Sequence, residues 1–356
     1  MKALRRGVTT GLCAAAAAKA ATMTLLSAKL VKNVEITAGN GAAIAFDIIE
    51  TTQENGLVKC AVIKDAGDDP DVTNGLKIIA AVSKTSKCGI EIEGGEGVGR
   101  VTKPGLKVPV GKAAINPVPM ETIKSAIAET CARFAYTGGI EAEISIPGGE
   151  EIAKKTLNSR LGIAGGLSIL GTTGIVEPMS SKAVVETIKA EIDVLTASGK
   201  TDLLITPGNY GREFAKNELG LDINEAVKCS NFIGETLDYI CMKGVPRITL
   251  IGHAGKLVKL AGGIMNTHSG IADCRMEIIA AHCALAGASK TDVRQIMESV
   301  TTEAAIDIME QLGINNRVWE SIGKKIGFHL RERTQGSVLI ECIVFTQEHG
   351  VLFHKK

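Results

Sequence analysis

The amino-acid sequence predicts a two-domain α/β protein: a small α+β sheet domain in residues 1–149, then a parallel-sheet domain with a helical C-terminal part in residues 150–356. Two observations predict this fold class. A chain of 356 residues is longer than one hydrophobic core usually serves. The apolar pattern also changes along the chain, from alternation with polar residues to continuous apolar runs separated by helices.

The first domain is predicted to begin with the alanine-rich helix that follows Thr9, Thr10 and Gly11. The two threonines either cap this helix or offer hydroxyls to a ligand carboxylate. Lys19 interrupts the alanine run, which disfavours a secretory signal. Alternating residues predict strands at 34–37, 44–50, 58–64 and 141–147, and a stripe of apolar residues predicts a helix at 120–135.

The second domain is predicted to alternate strands and helices from about residue 165. Apolar runs that end in glycine turns predict strands at 167–170, 203–206 and 247–252, and apolar stripes predict helices at 181–198 and 212–219. Helices at 273–286 and 292–300, the latter capped by Thr291, and a strand at 338–345 complete the chain. This alternation is typical of a parallel sheet with both faces covered.

Charge and cysteine content exclude several classes of protein. Forty Lys and Arg against 39 Asp and Glu do not create the broad positive electrostatic field that nucleic-acid binding requires, so we expect no nucleic-acid partner. Nine cysteines without a C-x-x-C pair indicate buried free thiols and a cytoplasmic location. No apolar run has the length of a membrane span, so we expect no membrane association. A homo-oligomer is compatible with the sequence.

Three predicted strand-to-helix turns carry paired glycines. They are Gly171-Thr172-Thr173-Gly174, Gly208-Asn209-Tyr210-Gly211 and Gly252-His253-Ala254-Gly255. Ligands of open α/β sheets bind beyond such turns, although glycines can also serve only to make the turn. Neither G-x-G-x-x-G nor a P-loop is present, so a pyrophosphate is not indicated. S-adenosylmethionine, which has no phosphate, fits, and we predict that the first two turns and Glu177 line its site.

The run from Lys64 to Asp71 places four carboxylates within seven residues. Three interpretations stay open: a turn in which aspartates cap backbone amides, a hard-cation site, or a charged wall facing a cationic ligand. His253 and Lys256 at a predicted helix N-terminus favour an anion. The residues predicted to contact substrate are Thr9, Thr10, Lys64, Asp65, Asp68, Asp69, Arg100, His253, Lys256, Thr267, His268 and Ser269. No catalytic residue and no protein metal site are predicted.

Several longer segments of the chain together resemble the CbiD family. They are RRGVTTGLCAAAAAKAA, KDAGDDPDVTNG, GEGVGRVTKPGLKVPVG, INPVP, ISIPGGEEIAKKTLN, ILGTTGIVEPMS, TPGNYGREFA and GKLVKLAGGIMNTHS. Leu12, Asn74 and Met120 stand where the family often has Thr, His and Arg. The resemblance implies a first domain similar to the ribosomal-protein-S5-like fold and a Rossmann-like second domain.

The resemblance also implies a reaction. The expected activity is transfer of one methyl group from S-adenosylmethionine to C-1 of cobalt-precorrin-5B, giving cobalt-precorrin-6A in anaerobic cobalamin biosynthesis. The substrate is then a tetrapyrrole rich in carboxylates, and cobalt arrives only within it. A nucleotide-binding oxidoreductase and a non-catalytic corrinoid-binding protein are the alternatives, but their usual G-x-G-x-x-G and D-x-H-x-x-G motifs are missing from the sequence.

Overall fold

The computed structural model describes residues 4–355, which form two compact units, one up to Ser181 and one from Lys182. The elements of the first unit are β1 Gly7–Val8, α1 Thr10–Ser27, β2 Asn33–Thr37, β3 Ala43–Asp47, β4 Glu50–Glu54, β5 Leu57–Ile63, β6 Lys77–Thr85, β7 Ile90–Gly94, β8 Arg100–Val101, α2 Pro117–Arg133, β9 Gly139–Ser145, α3 Gly149–Ala153, β10 Ile163–Ala164 and β11 Ile175–Val176.

A five-stranded sheet, ordered β4-β5-β6-β9-β7, organises the first unit. All pairs are antiparallel except β7 with β9, which the chain joins through α2. One face of the sheet packs on α1, whose alanines are buried because it is covered on almost every side. Small side chains let α1 lie close to both α2 and the sheet.

The boundary between the units lies after Ser181 and not after residue 149 as expected. The intervening segment belongs to the first unit because β10 pairs with β8 and β11 pairs with β1. The predicted strand at 167–170 is therefore wrong: Leu167 and Ile169 form only isolated bridges, to Val98 and Ile115. The predicted strand at 44–50 is divided between β3 and β4.

The elements of the second unit follow the predicted pattern more closely. They are α4 Ser181–Ala197 (its first residue on the other side of the boundary), β12 Asp202–Thr206, α5 Asn209–Asn217, β13 Val227–Lys228, α6 Ile233–Met242, β14 Arg247–His253, α7 Ala254–Leu257, α8 Arg275–Leu285, α9 Lys290–Met297, α10 Thr302–Gln311, α11 Asn315–Thr334, β15 Leu339–Thr346 and β16 Gly350–Lys355, with 3-10 turns at Ile223–Glu225 and Val258–Gly262. The cap of α9 is Ser289, not Thr291, because Ser289 and Asp292 form a capping box.

The second sheet has the order β13-β12-β14-β15-β16, parallel except for β16. Successive residues of β12 and β14 enter different cores: Ile205 and Leu250 pack with α6 and α11, whereas Leu204 and Ile251 pack with α5. This confirms the predicted parallel sheet with both faces covered. Within residues 4–355, no helix combines the length and the apolarity that crossing a membrane would require.

Candidate ligand site at the carboxyl edge of the second sheet

The strand order of the second sheet identifies one point at its carboxyl edge. From β12 the chain goes to β13 on one side, then returns to β14 on the other side of β12. Open α/β sheets bind ligands where the connections diverge in this way, beyond the carboxyl ends of the two strands. Gly208 to Gly211 follow β12, and Ala254 to Lys256 follow β14. Two of the three predicted glycine turns therefore meet here.

Lys256 is the central cation of this edge. Its Nζ donates to the carbonyl of Pro207 at 3.1 Å and to Oδ1 of Asn231 at 2.9 Å. Thr267 Oγ1 donates to the same oxygen at 3.2 Å. Lys256 is half-buried, and this burial lowers its pKa. An ammonium has three donors, so one N–H stays available, and a Cβ at position 208 would lie 4.0 Å from Nζ.

Two hydroxyls at this edge are buried and have no hydrogen-bond partner among residues 4–355. They are Thr206 Oγ1, at the end of β12, and Thr302 Oγ1, which lies 3.3 Å from where a Cβ on Gly255 would be. An unsatisfied buried hydroxyl costs about 1–3 kcal/mol, so such atoms indicate a place for a polar ligand or an ordered water. A Cβ on Gly211 would lie 2.8 Å from the carbonyl oxygen of Ile251, so this position requires glycine.

His253 has a different role from the predicted one. Its Nδ1 accepts from the amide of Gly255 at 3.2 Å, and its Nε2 lies 3.0 Å from Glu303 Oε1. The ring thus caps α7, a helix of four residues, and occupies an amide that an anion would need. His253 therefore does not leave this amide free for an anion, and the predicted anion contact of Lys256 stays a prediction. His253 instead lies between the rings of Tyr210 and Phe345, with centroids 6.3 and 5.8 Å away.

The remaining predicted residues of this unit divide into two groups. Thr267 is buried and belongs to the Lys256 network. His268 and Ser269 are exposed, and His268 Nδ1 accepts from the amide of Gly270. Sequence reasoning missed Asn231, Thr206, Pro207 and Glu303. Asn231 follows a strand of two residues, too short to recognise, but Thr206 and Pro207 belong to the TPGNYG segment and could have been found there.

The predicted turn Gly171–Gly174 lies in the first unit, against the start of α1. Thr9 caps α1 by accepting from the amide of Leu12 at 3.3 Å, and its own amide donates to the carbonyl of Gly174. A Cβ on Gly171 would lie 2.3 Å from Thr9 Oγ1. The prediction that this turn follows a strand of the parallel sheet is therefore wrong. Thr172 and Thr173 are exposed.

Two other residues near β1 that were predicted to contact ligands, Thr10 and Glu177, also form bonds within the protein. Thr10 Oγ1 accepts from the amide of Leu170 at 2.9 Å. Glu177, predicted to serve the cofactor, is exposed and pairs with Arg6 at 3.3 Å. These contacts join residues 6–10 to the segments before and after β11, so the side chains of Thr10 and Glu177 both have structural partners in the first unit.

The carboxylates of the acidic turn, residues 64–75, have partners elsewhere in the first unit as well as within the turn. Arg5 binds Asp65 with both guanidinium ends, and its amide donates to Asp68 at 2.7 Å. Asp69 accepts from the amide of Met179 at 2.8 Å. Lys64, only 2% exposed, donates to Asp71 at 2.6 Å. Lys64 is therefore paired within the protein, so its predicted contact with substrate stays a prediction, and the geometry is that of the turn-capping interpretation.

Asp65 and Arg100 complete the predicted set. The hydrogen bond from Arg5, followed by that from the Gly67 amide, lowers the pKa of Asp65 to about 2. Arg100 is exposed, lies 3.4 Å from Glu93 and donates to the carbonyl of Gly111 at 3.3 Å. It therefore holds a loop of the first unit.

Two family models match the chain. CbiD matches residues 1–178, and CbiD, C-terminal domain, matches residues 266–356. The chain belongs to the CbiD family. The first CbiD match ends three residues before the boundary of the first unit at Ser181, so the family's N-terminal region and the first structural unit coincide.

CbiD relatives cover nearly the whole chain. A protein of Ruminiclostridium cellulolyticum is 52% identical over 97% of this chain and 90% of its own length, and one of Methanocaldococcus jannaschii is 45% identical over 97% and 95%. Both are named cobalt-precorrin-5B C(1)-methyltransferase. The crystal structure of a cobalamin biosynthesis protein (cbiD) from Archaeoglobus fulgidus is 31% identical, with a TM-score of 0.41 over 76% of this chain and 84% of that one.

Proposed function

We propose that this chain is a cobalt-precorrin-5B C(1)-methyltransferase that uses S-adenosylmethionine as methyl donor. The observation that carries the proposal is the near full-length similarity to relatives of that name, from bacteria and an archaeon, at 39–52% identity. Each of these matches covers at least 97% of this chain, so the similarity includes both units. An activity that belongs to the whole relative can therefore be proposed for the whole chain.

The carboxyl edge of the second sheet is the proposed donor site. S-adenosylmethionine carries an electrophilic methyl on a sulfonium, a carboxylate, an ammonium and an uncharged adenosyl group. One N–H of the Lys256 ammonium is available to the carboxylate. The buried Thr206 hydroxyl has no partner in the protein, and a bound molecule could supply one. Gly208 leaves space beside the amine, and Tyr210, 60% exposed, offers an aromatic surface. The residues therefore fit a polar ligand without phosphate.

The chemistry asks mainly for positioning. A C–C bond forms between C-1 and the methyl carbon, the S–CH₃ bond breaks, and its electron pair stays on sulfur. Because a neutral thioether leaves, no oxyanion has to be stabilised. Residues that hold the two reacting carbons in line and exclude water can supply about 7–11 kcal/mol of the barrier reduction. Cobalt enters as part of the substrate.

We also propose a Rossmann-like fold for the second unit and an S5-like fold for the first. The strand order of the second sheet, with its first strand inside and a reversal at β12, supports a Rossmann-like description. The S5-like description of the first unit rests on the family resemblance. The cytoplasmic location stays a prediction: all nine cysteines are free, although Cys88 and Cys274 are exposed rather than buried.

An anaerobic assay tests the proposed function. The protein is incubated with cobalt-precorrin-5B and donor carrying a deuterated methyl, and the product is analysed by mass spectrometry and by NMR at C-1. We expect the gain of one labelled methyl and the release of S-adenosylhomocysteine. Binding of NADH in place of S-adenosylhomocysteine would favour an oxidoreductase, and tetrapyrrole binding without methyl gain would favour a carrier protein.

A further inference from the structure

A cavity of about 930 Å³ lies in the first unit, and its lining includes none of the residues of the Gly171–Gly174 turn. It is lined by strands of the five-stranded sheet and by residues 107–117, which lead from β8 to α2. Ligand pockets for molecules of a few dozen atoms span about 300–1,000 Å³. The cavity is therefore large enough for most of a macrocycle.

The strand register explains which side chains line the sheet side of the cavity. Lys59, Ala81, Glu143 and Glu93 form one row across β5, β6, β9 and β7. Glu141 and Glu91 are direct neighbours in the next row, on the same face. Like charges opposite each other on adjacent strands are destabilising unless cations lie near them. This face therefore needs positive partners.

Most of these carboxylates already have partners within the protein. Glu91 pairs with Lys87 at 2.9 Å, Glu93 with Arg100 at 3.4 Å, and Glu141 accepts from Ser83 Oγ at 2.8 Å.

The lysines of the same cavity are different. Within residues 4–355, the amines of Lys59, Lys107 and Lys112 form no hydrogen bond or ion pair, and all three side chains are exposed. Lys124 has only a 3.8 Å contact with Glu121. Two of the four cavity carboxylates pair with cations outside the lining, so the unpaired amines outnumber the remaining carboxylates, and this excess of positive charge suits an anionic ligand.

The loop that carries two of these lysines is held in place. Arg100 donates to the carbonyl of Gly111 at 3.3 Å, the Gly111 amide donates to Val101, and the Val101 amide donates to the carbonyl of Lys112 at 3.0 Å. Val108 is buried at the base of the loop. A fixed loop loses little conformational entropy when its lysines bind a ligand.

We propose that this cavity binds the acetate and propionate groups of the tetrapyrrole through Lys59, Lys107 and Lys112. The inference rests on the proposed function for the identity of the ligand. Ile92, Ile115 and Met120 give the lining an apolar part for the ring. The amines form salt bridges with carboxylates that have no positive partner in the substrate itself. This assigns substrate recognition to residues other than Lys64 and His253, whose polar atoms are already bonded.

Equilibrium binding tests the proposal with two probes: cobyrinic acid, a cobalt corrin with free carboxylates, and its fully amidated counterpart. Exposed ion pairs contribute about 0.2–1 kcal/mol each, so we expect each of Lys59→Gln, Lys107→Gln and Lys112→Gln to raise the Kd of the acid about threefold and the triple variant about 30-fold. Affinity should fall with salt less steeply in the triple variant. The amidated probe should bind weakly to all proteins.

Two matched variants sharpen the test. Lys155→Gln removes an exposed lysine of the same unit that does not line the cavity, and it should leave Kd unchanged. Glu143→Gln removes a cavity carboxylate that forms no hydrogen bond or ion pair within residues 4–355, and it should tighten binding of the acid about threefold. Thermal denaturation of each variant verifies that the fold is intact.

The outcomes separate this inference from the proposed function. If wild-type protein transfers methyl and the triple variant keeps the wild-type KM for the tetrapyrrole, the inference is overturned and the function stands. Equal Kd values for the acid and the amidated probe overturn it as well. If wild-type protein transfers no methyl but the triple variant loses affinity for the acid, the cavity is supported and the methyltransferase proposal fails.

Discussion

The regions around Gly171 and Gly208 look alike in sequence and differ in structure. Both are four-residue turns bounded by glycines after an apolar run. In the first, both glycines have positive φ, +131° and +80°, and the side chains of Thr9 and Leu12 fill the space beside them. In the second, Gly208 is extended, with only Lys256 Nζ nearby. The first turn packs the protein together, and the second leaves room for a ligand.

The acidic turn and the Lys256 network differ in the same way in their polar groups: those of the first are bonded within the protein, and those of the second are partly unused. Asp65, Asp68 and Asp69 find partners in Arg5 and Met179, far away in sequence. Lys256 and Thr206 retain donors and a hydroxyl that the protein does not use. We therefore expect substitutions around β1 to change stability, and substitutions at the sheet edge to change ligand affinity.

The largest expected effect comes from Asp71→Ala in the acidic turn. It leaves the ammonium of Lys64, 2% exposed, without its charged partner, and breaking a buried pair in this way costs about 3–5 kcal/mol. Urea denaturation measures the loss. Asp69→Ala is the control, because it removes one hydrogen bond to an amide and should cost about 1 kcal/mol. Equal losses would contradict the special role of the buried pair.

A matched glycine pair tests the comparison directly. Gly174→Ala forces a side chain into positive φ, 3.0 Å from a methyl of Leu12, and should cost about 1–3 kcal/mol of stability. Gly208→Ala adds a methyl to extended backbone, which any residue adopts, and should change stability by about 0.5 kcal/mol or less.

Ligand affinity should respond in the opposite way. Gly208→Ala should weaken binding of S-adenosylhomocysteine about tenfold, since an intruding methyl costs about 1–3 kcal/mol, whereas folded Gly174→Ala should bind normally. Calorimetric titration measures both. If Gly174→Ala lost affinity and Gly208→Ala kept it, the assignment of the two turns would have to be exchanged.

Thr206→Val is expected to separate affinity from stability. It removes a buried hydroxyl that has no partner, so the free energy of unfolding should stay the same or rise by about 1 kcal/mol. Affinity for S-adenosylhomocysteine should fall about fivefold, the value of one hydrogen bond. Thr334→Val is the control: its hydroxyl donates to Leu330 within the protein, so it should lose stability and keep affinity.

The sequence predicted those elements whose pattern is local. The strands 58–64, 203–206 and 247–252 agree within about one residue with β5, β12 and β14. Their pattern of apolar residues directly reflects which side chains are buried, so it can be read without knowing the strand partners. The run 167–170 failed because its partners, Val98 and Ile115, lie more than 50 residues away. In the site, glycine spacing indicated the turn at Gly208, but Asn231 and the orphan hydroxyls depend on contacts that only the folded chain shows.

The smallest expected effect concerns Asp65 and pH. Its folded pKa of about 2 lies below the ordinary 3.8, so its pairing stabilises the fold above about pH 4, and this stability is lost as pH falls through about 2. Both partners are exposed, 52% for Asp65 and 60% for Arg5, so the contribution should stay below about 1 kcal/mol and decrease in 1 M salt. Wild-type protein should therefore lose slightly more stability than Asp65→Asn between pH 5 and 2.5 in urea denaturation. At pH 7 the variant should keep its affinity for S-adenosylhomocysteine and its methyl transfer, because Asp65 holds the chain start. A fall in turnover without a fall in stability would restore the acidic turn as a charged wall of the active site.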